Sequence, residues 1–252
     1  MNTVTLSALV VVHNEEDQLD DCLKALDFAD ERVVVLDRCT DGSKEIAGSY
    51  AERLLEGAWE REGPRRNAGI DACRGRWIFE VDADERVPEA LGREVQDVAQ
   101  SSSFDWHEVP IDNYIGTRLV RWGWGGSFGS TAKPVLFRKG AKAWGAQRVH
   151  PSLVWQGRRG PRLRHALQHY VDRNISEMIG RLDRYTTARA RDLREDGHPG
   201  VLAANLRRLF SRFLKCYVGR KGYREGGWGL LIALFAGLYP LLSYLKATLE
   251  QE

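Results

Sequence analysis

The chain of 252 residues is poor in several signals, and each absence removes a class of protein. It has four cysteines, Cys22, Cys39, Cys73 and Cys216, and none forms a CxxC pair. A zinc ribbon or a dithiol redox motif is thereby argued against. No GxGxxG follows the first apolar run, which argues against a nicotinamide or flavin site. The opening MNTVTLSALVVVHNEED has no basic stretch and turns acidic at once. It reads as a strand rather than a secretion signal, so the expected setting is cytosolic with reduced thiols. Internal repeats and low-complexity linkers are also lacking. The hydrophobic content of 43% and charged content of 29% are those of a folded domain with one sizeable core and an appendage.

The small net charge of +2 conceals a division. Residues 1–150 carry 19 Lys and Arg against 26 Asp and Glu, whereas residues 151–252 carry 18 against 9. An acidic first part is thus joined to a basic second part, which predicts an anionic partner for the latter.

Leu6–Val12, Val33–Leu36 and Trp77–Val81 are short, continuously apolar runs, as buried parallel strands require. Between them, Asn14 stands at an N-cap-like position before a stripe of Leu19, Cys22, Leu23 and Leu26. Lys44–Leu55 and Asn67–Cys73 read as two further helices. The order β-α-β-α-α-β predicts a doubly wound, mainly parallel α/β sheet. Ligands of such sheets bind beyond the carboxyl ends of the strands. Here those ends carry His13, Asn14 and Glu15, then Asp37, then Asp82-Ala83-Asp84. A pair of carboxylates at a strand end suits Mg²⁺ or Mn²⁺ shared with a diphosphate.

Four segments in this order, VVVHNEE (10–16), VVLDRCTDG (34–42), GPRRNAG (63–69) and WIFEVDADERV (77–87), resemble family 2 glycosyltransferases. Phe137-Arg138-Lys139, Val149-His150, His169-Tyr170, Arg184-Tyr185 and Gly222–Gly229 resemble the subgroup that adds a sugar to the lipopolysaccharide inner core, described as β-1,4-glucosyltransferases. The resemblance implies a GT-A fold and an inverting transfer of a hexose from a nucleoside-diphosphate sugar, such as UDP-glucose, to a lipid-linked saccharide. It implies a nucleotide-sugar site of His13, Asn14, Glu15, Asp37, Arg66, Asn67, Asp82 and Asp84, with Asp84 binding Mn²⁺ or Mg²⁺. A general base must take the acceptor proton. Val149-His150-Pro151 stands where related chains carry Val-His-Glu, which leaves Asp112 and His150 as candidates. His169, Arg181 and Arg184 are candidate acceptor contacts.

The expected division is a catalytic domain over 1–170 and a helical, membrane-associating extension over 171–252. In the extension, Ile175–Glu195 and Val201–Val218 have helical periodicity. Leu202, Leu206, Leu209, Phe213 and Tyr217 form one stripe, with Arg208, Arg212 and Lys215 on another face. Trp228–Leu245 contains no charge, but Gly237 and Pro240 predict an interruption. These features suit an anionic membrane surface, with the protein peripheral or monotopic on the cytoplasmic face of the inner membrane. Two alternatives are a transferase acting on a polyprenyl-linked acceptor in capsule or exopolysaccharide synthesis, and a nucleic-acid-binding protein using the basic helices. No nucleic-acid motif is present, so nucleic acid is not an expected partner.

Overall fold

The computed structural model describes residues 5–125, 128–146 and 152–250. Its contacts separate into two units. The first takes in residues 5–111, 132–146 and 152–169, and the second takes in 112–125, 128–131 and 170–250.

The first unit begins with β1 (Leu6–Val12), α1 (Glu16–Lys24), β2 (Glu31–Asp37), α2 (Ser43–Gly48), β3 (Arg53–Gly57), α3 (Glu62–Ala72) and β4 (Trp77–Asp82). The short β5 (Glu85–Arg86) and α4 (Glu89–Ser101) follow, then β6 (Trp106–Ile115), which runs on into the second unit. Later segments add β8 (Ala132–Arg138), β9 (Lys142–Trp144), β10 (Leu153–Trp155) and the first half of β11 (Leu167–Asp172), which runs on into the second unit; β7 (Arg118–Val120) belongs to the second unit. Neighbouring strands run β3-β2-β1-β4-β8-β6. The first four are parallel, with Val10 opposite both Val34 and Val81, while β8 and β6 join antiparallel. The sheet is therefore mixed, with its parallel strands forming one side and the antiparallel strands the other.

Alternation along the strands builds a core on each face. Val10, Val12, Val34, Leu36, Phe79 and Val81 meet Leu19, Leu23, Leu91 and Val95 from α1 and α4. Leu9, Val33, Val35 and Ile78 meet Ile70 and Cys73 at α3 on the other. Both faces are covered, which is why the strands read as unbroken apolar runs. Gly69 lets α3 approach closely, since a Cβ there would stand 2.6 Å from Leu9 and 2.9 Å from Val35.

Two local expectations are corrected. The second helix ends at Gly48, and Arg53–Gly57 is a strand beside β2. Leu54 and Leu55 therefore belong to a pairing edge, which helical periodicity over so short a span does not reveal. Asn14 is no N-cap: it takes left-handed backbone, φ 56°, and its Oδ1 accepts the Thr40 N–H at 2.8 Å.

The second unit is helical: α5 (Ile175–Glu195), α6 (Leu202–Leu214), a π turn (Lys215–Gly219), a 3₁₀ turn (Gly222–Glu225) and α7 (Gly227–Leu249). Its core gathers Trp124, Phe128, Met178, Leu182, Cys216, Ile232, Phe235 and Tyr239. The expected interruption of α7 is absent, and the helix runs through Pro240 for 23 residues. It is long and apolar enough to cross a membrane, yet half of its most apolar window is buried within the protein. Close packing on α6 accounts for the glycine at 237, where a Cβ would come within 2.7 Å of the Leu209 carbonyl.

Candidate active site

The carboxyl ends of β1, β2 and β4 lie side by side, as the register of the three strands requires. His13 Nδ1 lies 2.6 Å from the Asp37 carbonyl oxygen, tying the end of β1 to that of β2. Beyond this, each carboxylate has a distinct environment.

Asp37 is 1% exposed, and its carboxylate accepts from Trp59 N–H (3.0 Å), Arg65 Nη1 (2.8 Å) and Arg38 Nε and Nη2 (3.0 and 3.2 Å). Burial raises its pKa, but the Arg38, Trp59 and Arg65 hydrogen bonds outweigh that and hold it below the usual carboxylate range. It organises the rim around Trp59 and the first turn of α3.

Asp82 sits between two cations. Arg66 Nη2 donates to Oδ1 at 2.8 Å, and Lys133 Nζ donates to Oδ2 at 2.7 Å. Lys133 also donates to Glu85 Oε1 at 2.6 Å, Glu85 Oε2 accepts the Asp82 N–H at 2.9 Å, and Arg66 Nε donates to Glu62 at 2.7 Å. Burial disfavours the charged form of Asp82, but the two cations prevail and keep its pKa far below normal. The Arg66 guanidinium also lies 4.9 Å from the centre of the Trp144 ring. Asn67 faces β9 instead, exchanging hydrogen bonds with the Trp144 backbone at 2.9 Å in each direction.

Asp84 is different. Its Oδ2 lies 3.2 Å from His169 Nε2, and its Oδ1 is buried with no hydrogen-bond partner in the protein. An unsatisfied buried carboxylate oxygen is costly, so its retention needs an explanation. Glu15, at the end of β1, is pushed up to about 7, first by burial and then by the charges of Asp84, Asp41 and Asp82. Negative charge thus accumulates around Asp84 faster than the protein neutralises it. Among the described residues no three His, Cys, Asp or Glu side chains form a ready metal cage. A hard cation would fit here on one carboxylate plus oxygens from a diphosphate.

Of the expected site residues, His13, Glu15, Asp37, Arg66, Asp82, Asp84 and His169 all lie at or beside the strand ends of the first unit. Asp112 lies on β6 in the second unit, and His150 falls outside the described residues. Arg181 is in the second unit, where it donates to Asp172 at 2.8 and 3.2 Å and stands 4.2 Å over the Phe128 ring; Arg184 is on the same helix. Lys133, Arg65 and Glu85 went unseen in the sequence. The signal for Lys133 is a lysine inside the strand AKPVLFR, where a buried ammonium needs anions.

Carboxylates at the ends of parallel strands, over a mixed sheet covered on both faces, define the GT-A class of glycosyltransferase fold. Residues 7–122, a little under half of the chain, match the family model described as glycosyl transferase family 2. It is similar to the lipopolysaccharide core biosynthesis glycosyltransferase LpsC of Rhizobium meliloti (strain 1021), 26% identical over 96% of this chain and 91% of that protein. It is also similar to the uncharacterized glycosyltransferase YibD of Escherichia coli (strain K12), 31% identical over 47% of this chain and 42% of that one. Among solved structures, S. aureus TarS 1-349 in complex with UDP-GlcNAc superposes with a TM-score of 0.51 at 14% identity. That match covers 75% of this chain and 66% of the TarS chain, and at this identity it is a likeness of fold alone.

The Glu15 carboxyl yields a pH prediction. Its folded-state pKa lies above its ordinary 4.5, so the folded chain holds this proton more tightly than the unfolded chain does. The penalty for ionising it is absent below about pH 4.5, grows as pH rises and is complete above about 7. Glu15→Gln should therefore raise Tm relative to wild type at pH 8 and not at pH 4.5. A Tm difference that does not change with pH would contradict the charge crowding inferred around Asp84.

Proposed function

We propose that the protein is an inverting hexosyltransferase that takes its sugar from a nucleoside-diphosphate donor, a UDP-sugar such as UDP-glucose, and passes it to a lipid-linked saccharide of the lipopolysaccharide core. The observation that carries this reading is the unpartnered Asp84 Oδ1 among excess carboxylates at the carboxyl end of β4. LpsC, whose name describes lipopolysaccharide core biosynthesis and which matches nearly the whole chain, supports the acceptor class.

In this reading Asp84 holds Mn²⁺ or Mg²⁺, with Glu15 nearby supplying further negative charge. Such a cation, when bound, neutralises charge on the departing nucleoside diphosphate. The remaining work falls to the chain. Arg66 and Lys133 hold Asp82 ionised and fixed in place toward the sugar side of the donor. Asp37 serves the nucleobase end by fixing Arg38, Arg65 and the Trp59 backbone, since its own oxygens already accept four hydrogen bonds. His13 and Asn14 pin the rim of the pocket, and Asn67 orients β9 beneath Arg66. His169 aligns the Asp84 carboxylate through its 3.2 Å contact. Asp112 and His150 are the groups offered as general base, and Arg181 and Arg184 are acceptor contacts.

Membrane attachment is assigned to α6 rather than to α7. Leu202, Leu206, Phe210, Leu214 and Val218 recur every four residues and are 41–65% exposed. The opposite side of α6 faces inward through Asn205 and Cys216 at its far end. Arg207, Arg208 and Lys215 flank the apolar stripe. A helix of this kind lies in the interface of an anionic bilayer. In this reading the protein works on the cytoplasmic face of the inner membrane, and nucleic acid is not an expected partner.

Two outcomes are expected. Asp84→Ala should lose at least a hundredfold in transfer and in donor hydrolysis while keeping the wild-type melting temperature to within a few degrees. Wild-type turnover in this variant would defeat the assignment. Phe210→Glu/Leu214→Glu should abolish flotation with phosphatidylglycerol vesicles and leave donor hydrolysis intact. Continued flotation would point away from α6.

A further inference from the structure

The second unit contains a cavity that the donor chemistry does not use. It measures about 240 Å³ and is lined by Arg121, Trp122, Gly123, Trp124, Thr131, Gly219, Arg220 and Lys221. Three of these residues are cations, and none is a carboxylate.

Some cations of this unit are compensated: Arg181 pairs with Asp172 at 2.8 Å, and Lys246 pairs with Asp183 at 2.6 Å. Among the described residues, Arg121, Arg220 and Lys221 have no carboxylate within ion-pair distance. The Glu225 carboxylate is committed elsewhere, pairing with Arg118 at 3.5 Å. Glu225, 8% exposed, accepts the backbone N–H groups of Arg121 (2.8 Å) and Trp122 (3.1 Å). It fixes the path of the loop without neutralising its side chains.

The geometry holds these charges together. Gly123 N–H donates to the Arg220 carbonyl at 3.0 Å, joining the two loops that form the cavity. A Cβ on Gly125 would collide with the Arg220 guanidinium, so glycine is needed there for Arg220 to lie as it does. Lys221 takes left-handed backbone, φ 59°, a conformation that costs energy for a lysine. Trp124 is buried and donates its indole N–H to the Val120 carbonyl at 2.6 Å, while Trp122 is exposed at 38% with Lys221 Nζ 5.3 Å from its ring centre. A cation over an exposed ring is weakly held, so that contact does not neutralise Lys221.

From this arrangement we infer that the cavity binds an oxyanion, a phosphate ester carried by the acceptor saccharide, with Arg121, Arg220 and Lys221 as its ligands and Trp122 as its wall. Guanidinium groups match phosphate oxygens in pairs, and an ammonium adds a point charge. The inference rests on the reading that the acceptor is a saccharide. A phosphate on a lipid headgroup has the same chemistry, and the test separates the two sources.

In the full chain, intrinsic fluorescence is titrated with mannose 6-phosphate, with mannose and with phosphatidylglycerol vesicles, using Trp122→Phe to isolate the Trp122 signal. Saturable change with mannose 6-phosphate and none with mannose is expected. Arg121→Gln/Lys221→Gln should weaken that response at least tenfold, and Arg121→Lys should retain most of it. The inference is overturned by an equal response to mannose, by unchanged affinity in the double variant, or by a response to vesicles alone. The thermal shift with UDP-glucose is recorded alongside and reports on the first unit. Its absence from the wild type counts against the donor reading while leaving the cavity result standing. Its loss in the double variant only counts against a separate anion site.

Discussion

The site depends on one half-buried ionic cluster, in which Arg66 from α3 and Lys133 from β8 converge on Asp82 at the end of β4. Removing one partner from such a cluster leaves a charge only partly compensated, a cost that solvent access keeps below the roughly 3–5 kcal/mol of a fully buried pair. Because both Asp82 oxygens are occupied, Asp82 is an organising group and Asp84 is the available one. Glu85 extends the cluster by bonding both Lys133 and the Asp82 backbone N–H. The turn between β4 and β5 is thereby held in the shape that leaves Asp84 Oδ1 without a protein partner.

This arrangement explains how two carboxylates two residues apart acquire different roles. Desolvation acts against the charge on Asp82, and the surrounding groups decide the outcome. Two cations overcome it at Asp82. The nearby Glu15 has Asp84, Asp41 and Asp82 around it and only His13 opposing them, so its proton is retained to about pH 7. A site with this surplus of negative charge would suit a hard cation held by Asp84 together with oxygens of a diphosphate.

Much of this was legible in the sequence, for physical reasons. Unbroken apolar runs such as VVV before His13 mark strands buried on both faces, and each polar group that terminates such a run must lie at the sheet's edge. That logic located His13, Asp37, Asp82 and Asp84. It could not find Lys133, because its partners lie 51 and 48 residues away and only the pairing of β8 with β4 brings them together. Nor could it separate the faces of the C-terminal helices. On α5, Ile175, Ile179, Leu182, Tyr185 and Leu193 share helical spacing, yet Ile175, Ile179 and Tyr185 are exposed whereas Met178, Leu182, Thr186 and Ala190 are buried. Helical periodicity identifies an apolar stripe but not whether it faces protein or a membrane. On α6, Phe210 and Leu214 face outward, while the predominantly apolar α7 supplies core.

The central claim is that Asp84 supports cation-dependent binding of a nucleoside diphosphate. Calorimetric titration of the wild type with UDP, with and without Mn²⁺, tests it directly. The account predicts that Mn²⁺ tightens UDP binding at least tenfold and that Asp84→Asn removes this enhancement. Equal affinity for UDP with and without Mn²⁺, or an enhancement that survives in Asp84→Asn, would contradict it.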